Sequence, residues 1–156
     1  MIHVTDHDGY YNVRFRIVVP APVQRVRALV TDYAHLDRVS PDIVRSVILP
    51  GRQGLRLRVV FRACLWVFCK TLMKTEWVKT APDGTITTRA IPSQSDFRYA
   101  VERWRIVADG RGTAISYRGS AIPKFHVPPV IGPWLIRMVL QHELRRSVDR
   151  LERLAR

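Results

Sequence analysis

The stretch GPWLIRMVLQHELRRSVDRLERLA, residues 132–155, decides the fold. After Pro128-Pro129 and Gly132-Pro133 the periodicity is that of a helix of about 24 residues, roughly 36 Å at ~1.5 Å per residue, long enough to cross a whole small domain. Ile136, Leu140, Leu144, Val148, Leu151 and Ala155 form one stripe, against Arg145, Arg146, Arg150 and Arg153. In the first half, Trp134, Leu135, Ile136, Met138, Val139 and Leu140 leave the helix apolar nearly all round. A sheet can cover one of those sides; the other calls for a ligand, a lid, a partner chain or a membrane.

Upstream the pattern is that of strands. Tyr11, Val13, Phe15, Ile17 and Val19 alternate with Asn12, Arg14 and Arg16, the period-2 signature of a half-buried strand from Tyr10 to Val19. Pro20-Ala21-Pro22 ends it and opens a helix carrying Val23, Val26, Leu29 and Val30, followed by a short second helix around Ala34 to Asp37. Strands are predicted at Ile43 to Leu49, Leu55 to Phe61, Lys70 to Val78, Thr85 to Ala90, Phe97 to Val107 and Thr113 to Ile122, separated by Gly- and Pro-containing turns. A bulge is expected near Glu102, where Trp104 and Ile106 fall out of phase with Phe97, Tyr99 and Val101. The sum is an α+β domain: a seven-stranded antiparallel sheet, two short helices after the first strand, and a long C-terminal helix. Residues 1–9 are expected to be a flexible tail and residues 10–156 a single domain.

With 156 residues, 47% of them hydrophobic and 25% charged, the chain has an ordinary globular composition. It shows no secretory start and no apolar run of membrane-spanning length, so a cytoplasmic location is expected. Cys64 and Cys69, placed on one extended strand, would face opposite ways, which favours reduced thiols and makes a poor zinc pair. Net charge is +13. Residues 1–50 carry six basic against five acidic side chains and residues 51–156 twenty against eight. Such a field suits polyanions: RNA, ribosomes or an anionic leaflet. A well-solvated Arg-rich surface is the competing reading.

This order of elements resembles the helix-grip fold of the START-like superfamily, which includes polyketide cyclases, plant allergens and coenzyme Q-binding proteins. The resemblance is carried by Ala21-Pro22-Val23-Gln24-Arg25-Val26, by Val30-Thr31-Asp32-Tyr33-Ala34-His35-Leu36 and by Gly132-Pro133-Trp134-Leu135-Ile136. Asp32-Tyr33 followed by Ser40-Pro41 and a Val-rich strand is similar to the bacterial coenzyme Q-binding and ribosome-association-type branch. It implies a lipid, sterol, quinone or polyketide held between helix and sheet. Fold alone does not choose among carrier, cyclase and interaction module.

The expected pocket wall is Phe61, Met73, Trp77, Phe97, Tyr99, Trp134, Leu135 and Met138, with Tyr117 and His142 offering polar tips. Each of these taken singly is more often plain core. The apolar segment around Leu65, Trp66 and Phe68, flanked by Arg62, Lys70 and Lys74, together with Phe125, has the composition of a membrane-docking wedge; a buried hairpin end or a dimer contact competes. His3 and His7, with Asp6 and Asp8, are read as a solvated tail, and neither metal nor cofactor is expected. No phosphate loop, metalloprotease motif or nucleophile elbow is found. If the fold catalyses, Arg98, Tyr99, Glu102, Tyr117 and His142 are the side chains to suspect. The primary expectation is thus a carrier or chaperone of a hydrophobic molecule that docks on the inner face of an anionic membrane. Its alternatives are a ribosome- or RNA-associated module using Arg56, Arg58, Arg62 and the basic helix end, and a polyketide aromatase or cyclase.

Overall fold

The computed structural model describes residues 1–65 and 67–156, and of Leu65 the backbone alone. Among the described residues, eight strands form one antiparallel sheet in the order β1-β2-β8-β7-β6-β5-β4-β3. They are β1 (Ile2–His7), β2 (Tyr10–Val19), β3 (Ile43–Leu49), β4 (Leu55–Leu65), β5 (Phe68–Thr80), β6 (Ile86–Ala90), β7 (Phe97–Asp109) and β8 (Gly112–Pro123). Helix α1 (Val23–Val30) and a 3-10 segment, Tyr33–Arg38, follow β2, and α2 (Gly132–Ala155) ends the chain. Among the described residues no helix is long and apolar enough to cross a membrane.

The eighth strand comes from the residues expected to be a tail. Ile2 and Val4 pair with Phe15 and Val13, and Asp8 (φ 51°) and Gly9 (φ 84°) make the two-residue turn. Asp-Gly with positive φ at both positions matches the twist of an antiparallel pair. The Asp6 carboxylate accepts the Gly9 N–H at 2.9 Å and fixes that turn. The bulge also moves: pairing of β7 with β8 is regular through Glu102, and the register shift falls between Phe97 and Tyr99.

Cys64 and Cys69 are direct partners across the β4–β5 hairpin and form a disulfide, with Cα atoms 4.0 Å apart. The expectation of opposite faces assumed one continuous strand. Once the chain reverses between them, partners directly across an antiparallel ladder share a face.

One face of the sheet carries the core. Val19, Leu57, Val59, Val78, Ile86, Ile106 and Ile115 pack with Val26 of α1 and with Leu151 and Ala155 of α2. Gly132 starts α2 where a Cβ would come within 2.9 Å of a Val127 methyl and 3.1 Å of the Tyr11 hydroxyl, so a side chain at this position would have to displace one or both. At the other end the Arg25 guanidinium donates to the Ala155 carbonyl at 3.1 Å, satisfying an orphan acceptor of the last turn. Between these anchors α2 runs across β1 and β2 and touches α1 and β4.

Candidate functional site

Cross-strand partners share a face, so the inward face of β4 fixes that of β5. Leu57 pairs with Glu76, Val59 with Lys74 and Phe61 with Leu72. Lys74 and Glu76 therefore lie on the core side with Leu72 and Val78, while Met73 and Trp77 lie on the other side. The same reasoning turns Glu102, Trp104 and Tyr117 inward, because Trp104 pairs with Tyr117 and Ile106 with Ile115. Tyr99 points outward.

The inner face is lowest along a lane of small residues. Tyr11 pairs with Ala121 and Ala121 with Ala100, and on the neighbouring strand Ala90 pairs with Glu76. Gly119 stands opposite Glu102 one step along. Beside this lane lies a buried charged cluster. The Lys74 ammonium is 2.6 Å from Glu102 Oε1 and 3.0 Å from Glu76 Oε2. Thr88 donates to the second oxygen of Glu102 at 3.3 Å. From α2, Glu143 reaches inward to accept a hydrogen bond from Ser40 at 3.1 Å.

One ammonium between two carboxylates cannot satisfy both equally. Burial disfavours the charge of Lys74, but the two glutamates outweigh it and raise the ammonium above its usual range. Burial also pushes Glu102 up, yet the Lys74 charge and hydrogen bonds from Lys74, Trp104 and Thr88 win, holding this carboxyl below the usual range. Glu76 goes the other way, raised by burial and by the Glu102 charge against the pull of Lys74. Burial and then Glu102 lift the Tyr117 phenol well above 10, and burial followed by Asp42 lifts Glu143. The arrangement thus offers a fixed ionised pair, Lys74–Glu102, beside groups biased toward their protonated, hydrogen-donating forms.

Tyr117 is held on both sides: its ring stacks on Phe15 at 4.8 Å and meets Trp104 at 4.5 Å. Its hydroxyl lies over Gly119, in the space a Cβ there would fill.

Of the residues expected on the pocket wall, Phe61 and Tyr117 lie on the inner face, and Leu135 and Met138 are half-buried on α2. Phe97 packs edge-on against Phe125 at 5.7 Å. Met73, Trp77 and Tyr99 occupy the opposite face of the sheet; Tyr99 pairs there with Tyr10, ring centroids 6.0 Å apart. Trp134 is 52% exposed and His142 points to solvent, whereas its neighbour Glu143 turns inward. Of the wedge residues, Phe68 is 74% exposed and Phe125 is tucked under the Lys70 ammonium at 4.7 Å. Trp66 and the Leu65 side chain lie outside the described residues.

Glu76 and Glu143 were missed in the sequence, and Lys74, expected as a surface cation flanking the wedge, is instead buried on the inner face. The signal was the phase of the hairpin: Leu57, Val59 and Phe61 face inward, and pairing Leu65 with Phe68 puts 72, 74, 76 and 78 on the same side.

Residues 11–156 match the family model described as polyketide cyclase/dehydrase and lipid transport. No curated protein matches the chain in sequence. Among solved structures, a START superfamily protein from Mycobacterium smegmatis is similar at 20% identity and a TM-score of 0.73, covering 92% of this chain and 98% of that one. The Zhui aromatase/cyclase from Streptomyces is similar at 14% identity and a TM-score of 0.66, covering 94% and 93%. A STAR-related lipid transfer protein from Xanthomonas axonopodis is similar at 18% identity and a TM-score of 0.65, covering 96% and 98%. At these identities the likeness is one of fold.

Proposed function

We propose, from the premise that the chain belongs to the polyketide cyclase/dehydrase and lipid transport family, that it binds and carries a hydrophobic small molecule bearing one or two oxygen functions. The molecule lies between α2 and the lane formed by Gly119, Ala121, Ala100 and Ala90. The observation that supports this is the pairing of small residues with an inward-facing cluster of buried Lys74 and Glu76 and half-buried Glu102 and Tyr117. An apolar body fits against alanines, and a carbonyl or hydroxyl finds donors held protonated by their surroundings. A solely structural sheet face gains little from turning four ionisable groups inward, since well-packed apolar residues of similar volume often stabilise as well or better.

Cargo exchange takes place at the end of the molecule where the β4–β5 hairpin and the loop before α2 present exposed Val67 (87%), Phe68 (74%) and Val130 (91%). These are the side chains that dip into a lipid surface, with Arg62 and Lys70 beside them for anionic head groups. A second reading, as a cyclase, draws on the same cluster: the Tyr117 phenol, which holds its proton tightly, can donate a hydrogen bond to a substrate carbonyl oxygen beside the ionised Glu102 carboxylate.

Calorimetric titration with 2-naphthol, an apolar ring system with one hydroxyl, tests the binding site. Wild type is expected to bind it, and Ala100→Leu, which raises the floor of the lane, is expected to weaken binding at least about tenfold while unfolding cooperatively, at a stability cost of about 1–3 kcal/mol. Equal affinity in the two proteins removes the lane from the site.

A further inference from the structure

We infer that the sheet face turned away from α2 is a docking surface for single-stranded RNA, independent of the small-molecule site. Register builds it. His3 pairs with Arg14, Arg14 with Arg118, Arg118 with Arg103, Arg103 with Thr87 and Thr87 with Lys79. This is one transverse row across six adjacent strands, three of its arginines on successive strands about 4.8 Å apart. Arg16 and Arg105 flank it through Ser116, and Arg89 follows in the next row, between Val101 and Trp77.

Like charges directly opposite one another destabilise a sheet. Among the described residues, Arg14, Arg89, Arg103, Arg105 and Arg118 take part in no ion pair. The strands carry four acidic side chains, Asp6, Glu76, Glu102 and Asp109. Of these only Asp109 is on this face, and Arg16 already neutralises it at 2.6 Å. A row that costs stability and lacks internal partners is explained by an external anion. The surface is also shaped for one: two adjoining hollows of about 500 and 390 Å³ share His3, Arg14 and Arg118.

The aromatics select nucleic acid over other anions. Tyr10 and Tyr99 sit together on this face, and Trp77 stands beside Arg89 in the ladder with the Arg56 guanidinium 5.5 Å from its ring. Arginine forks for phosphates, aromatic rings for bases, and Asn12, Ser120, Thr5 and Thr87 between them for base edges and sugar hydroxyls are the parts of a single-strand platform. A bilayer needs protruding apolar side chains, and the exposed Val67, Phe68 and Val130 lie off this face, on the hairpin tip and the loop before α2. The cationic strand expected at Arg56 and Arg58 is partly consumed internally: Arg58 donates to Thr75 at 3.0 Å and to Gln94 at 3.4 Å, and Arg56 reaches the Pro50 carbonyl at 2.5 Å.

Fluorescence anisotropy with a labelled oligouridylate tests this on the full chain. Wild type is expected to bind at low salt. Arg14→Glu/Arg103→Glu/Arg118→Glu is expected to lose at least tenfold in affinity, with a log–log salt slope shallower by about 2, at ~0.7 per phosphate for three contacts. The charge-matched control Arg38→Glu/Arg145→Glu/Arg153→Glu, on other surfaces, is expected to retain most of the binding, and Tyr99→Ala to lose about tenfold through stacking. Equal losses in both triple variants would reduce the effect to net charge and overturn the proposal. So would binding of anionic phosphatidylserine vesicles, but not oligouridylate, through the same three arginines. Titration with 2-naphthol is unchanged in the Arg14/Arg103/Arg118 variant, so failure here and failure of the small-molecule reading are separable.

Discussion

Lys74→Met is expected to destabilise the protein by about 3–5 kcal/mol at neutral pH, the range for breaking one side of a buried ion pair. The ammonium is the counter-charge for two carboxyls, 2.6 Å from Glu102 and 3.0 Å from Glu76, and methionine fills its space without its charge. The loss depends on pH in a definite sense. Glu102 has a folded pKa below its unfolded value, so its contribution is present above the ordinary glutamate value of about 4.3 and fades as pH falls through the folded value. Lys74 is raised, so its contribution is complete below about 10.4 and is lost only as pH rises through its folded value. The pair is therefore at full strength between these limits. Without Lys74 both carboxyls prefer their protons, and the gap between variant and wild type narrows toward pH 4. Chemical denaturation at pH 7 and pH 4 measures both gaps, and Lys74→Met/Glu76→Gln/Glu102→Gln should recover most of the loss. A pH-independent cost with no recovery would mean that the side chain matters for its packing alone.

The second large effect has the opposite sign from simple propensity. A glycine inside a strand is normally weaker than alanine by about 0.5–1 kcal/mol, so Gly119→Ala would be expected to stabilise β8. Here the Tyr117 hydroxyl occupies the place of the missing Cβ, and the ring is clamped between Phe15 and Trp104. The alanine methyl must displace the phenol or the strand, costing about 1–3 kcal/mol as overpacking in a close-fitted interior. Thermal unfolding and the near-ultraviolet circular dichroism of the aromatic cluster should both change. Combining Gly119→Ala with Tyr117→Ala should be less damaging than the sum of the two, because the clash disappears with the ring. Additive costs would contradict the contact.

The long C-terminal helix and the meander were legible because each rests on local periodicity and turn chemistry that the chain states outright, whereas the second of the two expected short helices is a 3-10 segment broken at His35. β1 escaped notice although Asp8-Gly9 is a strong hairpin signal: six residues at a terminus supply too little apolar surface to identify a strand without its partner. The binding site was less legible for one reason, the phase of β5. Read alone, Leu72-Met73-Lys74-Thr75-Glu76-Trp77 invites the large apolar Met73 and Trp77 inward. Only pairing with Leu57, Val59 and Phe61 reverses that and buries Lys74 and Glu76. The same reversal sends Trp77 and Tyr99 to the arginine-bearing face, where their rings acquire a different meaning. Glu102 and Tyr117 could be picked out as chemically capable, but the lysine and the second glutamate that set their protonation come from a strand 28 and 26 residues before Glu102, and further still from Tyr117, and sequence spacing carries no trace of that meeting.

Native mass spectrometry of the protein purified without detergent, with organic extraction of whatever co-purifies, measures the small-molecule reading most directly. The expected spectrum shows a stoichiometric hydrophobic compound with at least one carbonyl or hydroxyl, and a clear loss of occupancy in Ala100→Leu. A wild-type protein that remains empty after exposure to a total lipid extract, yet is fully folded, would contradict it.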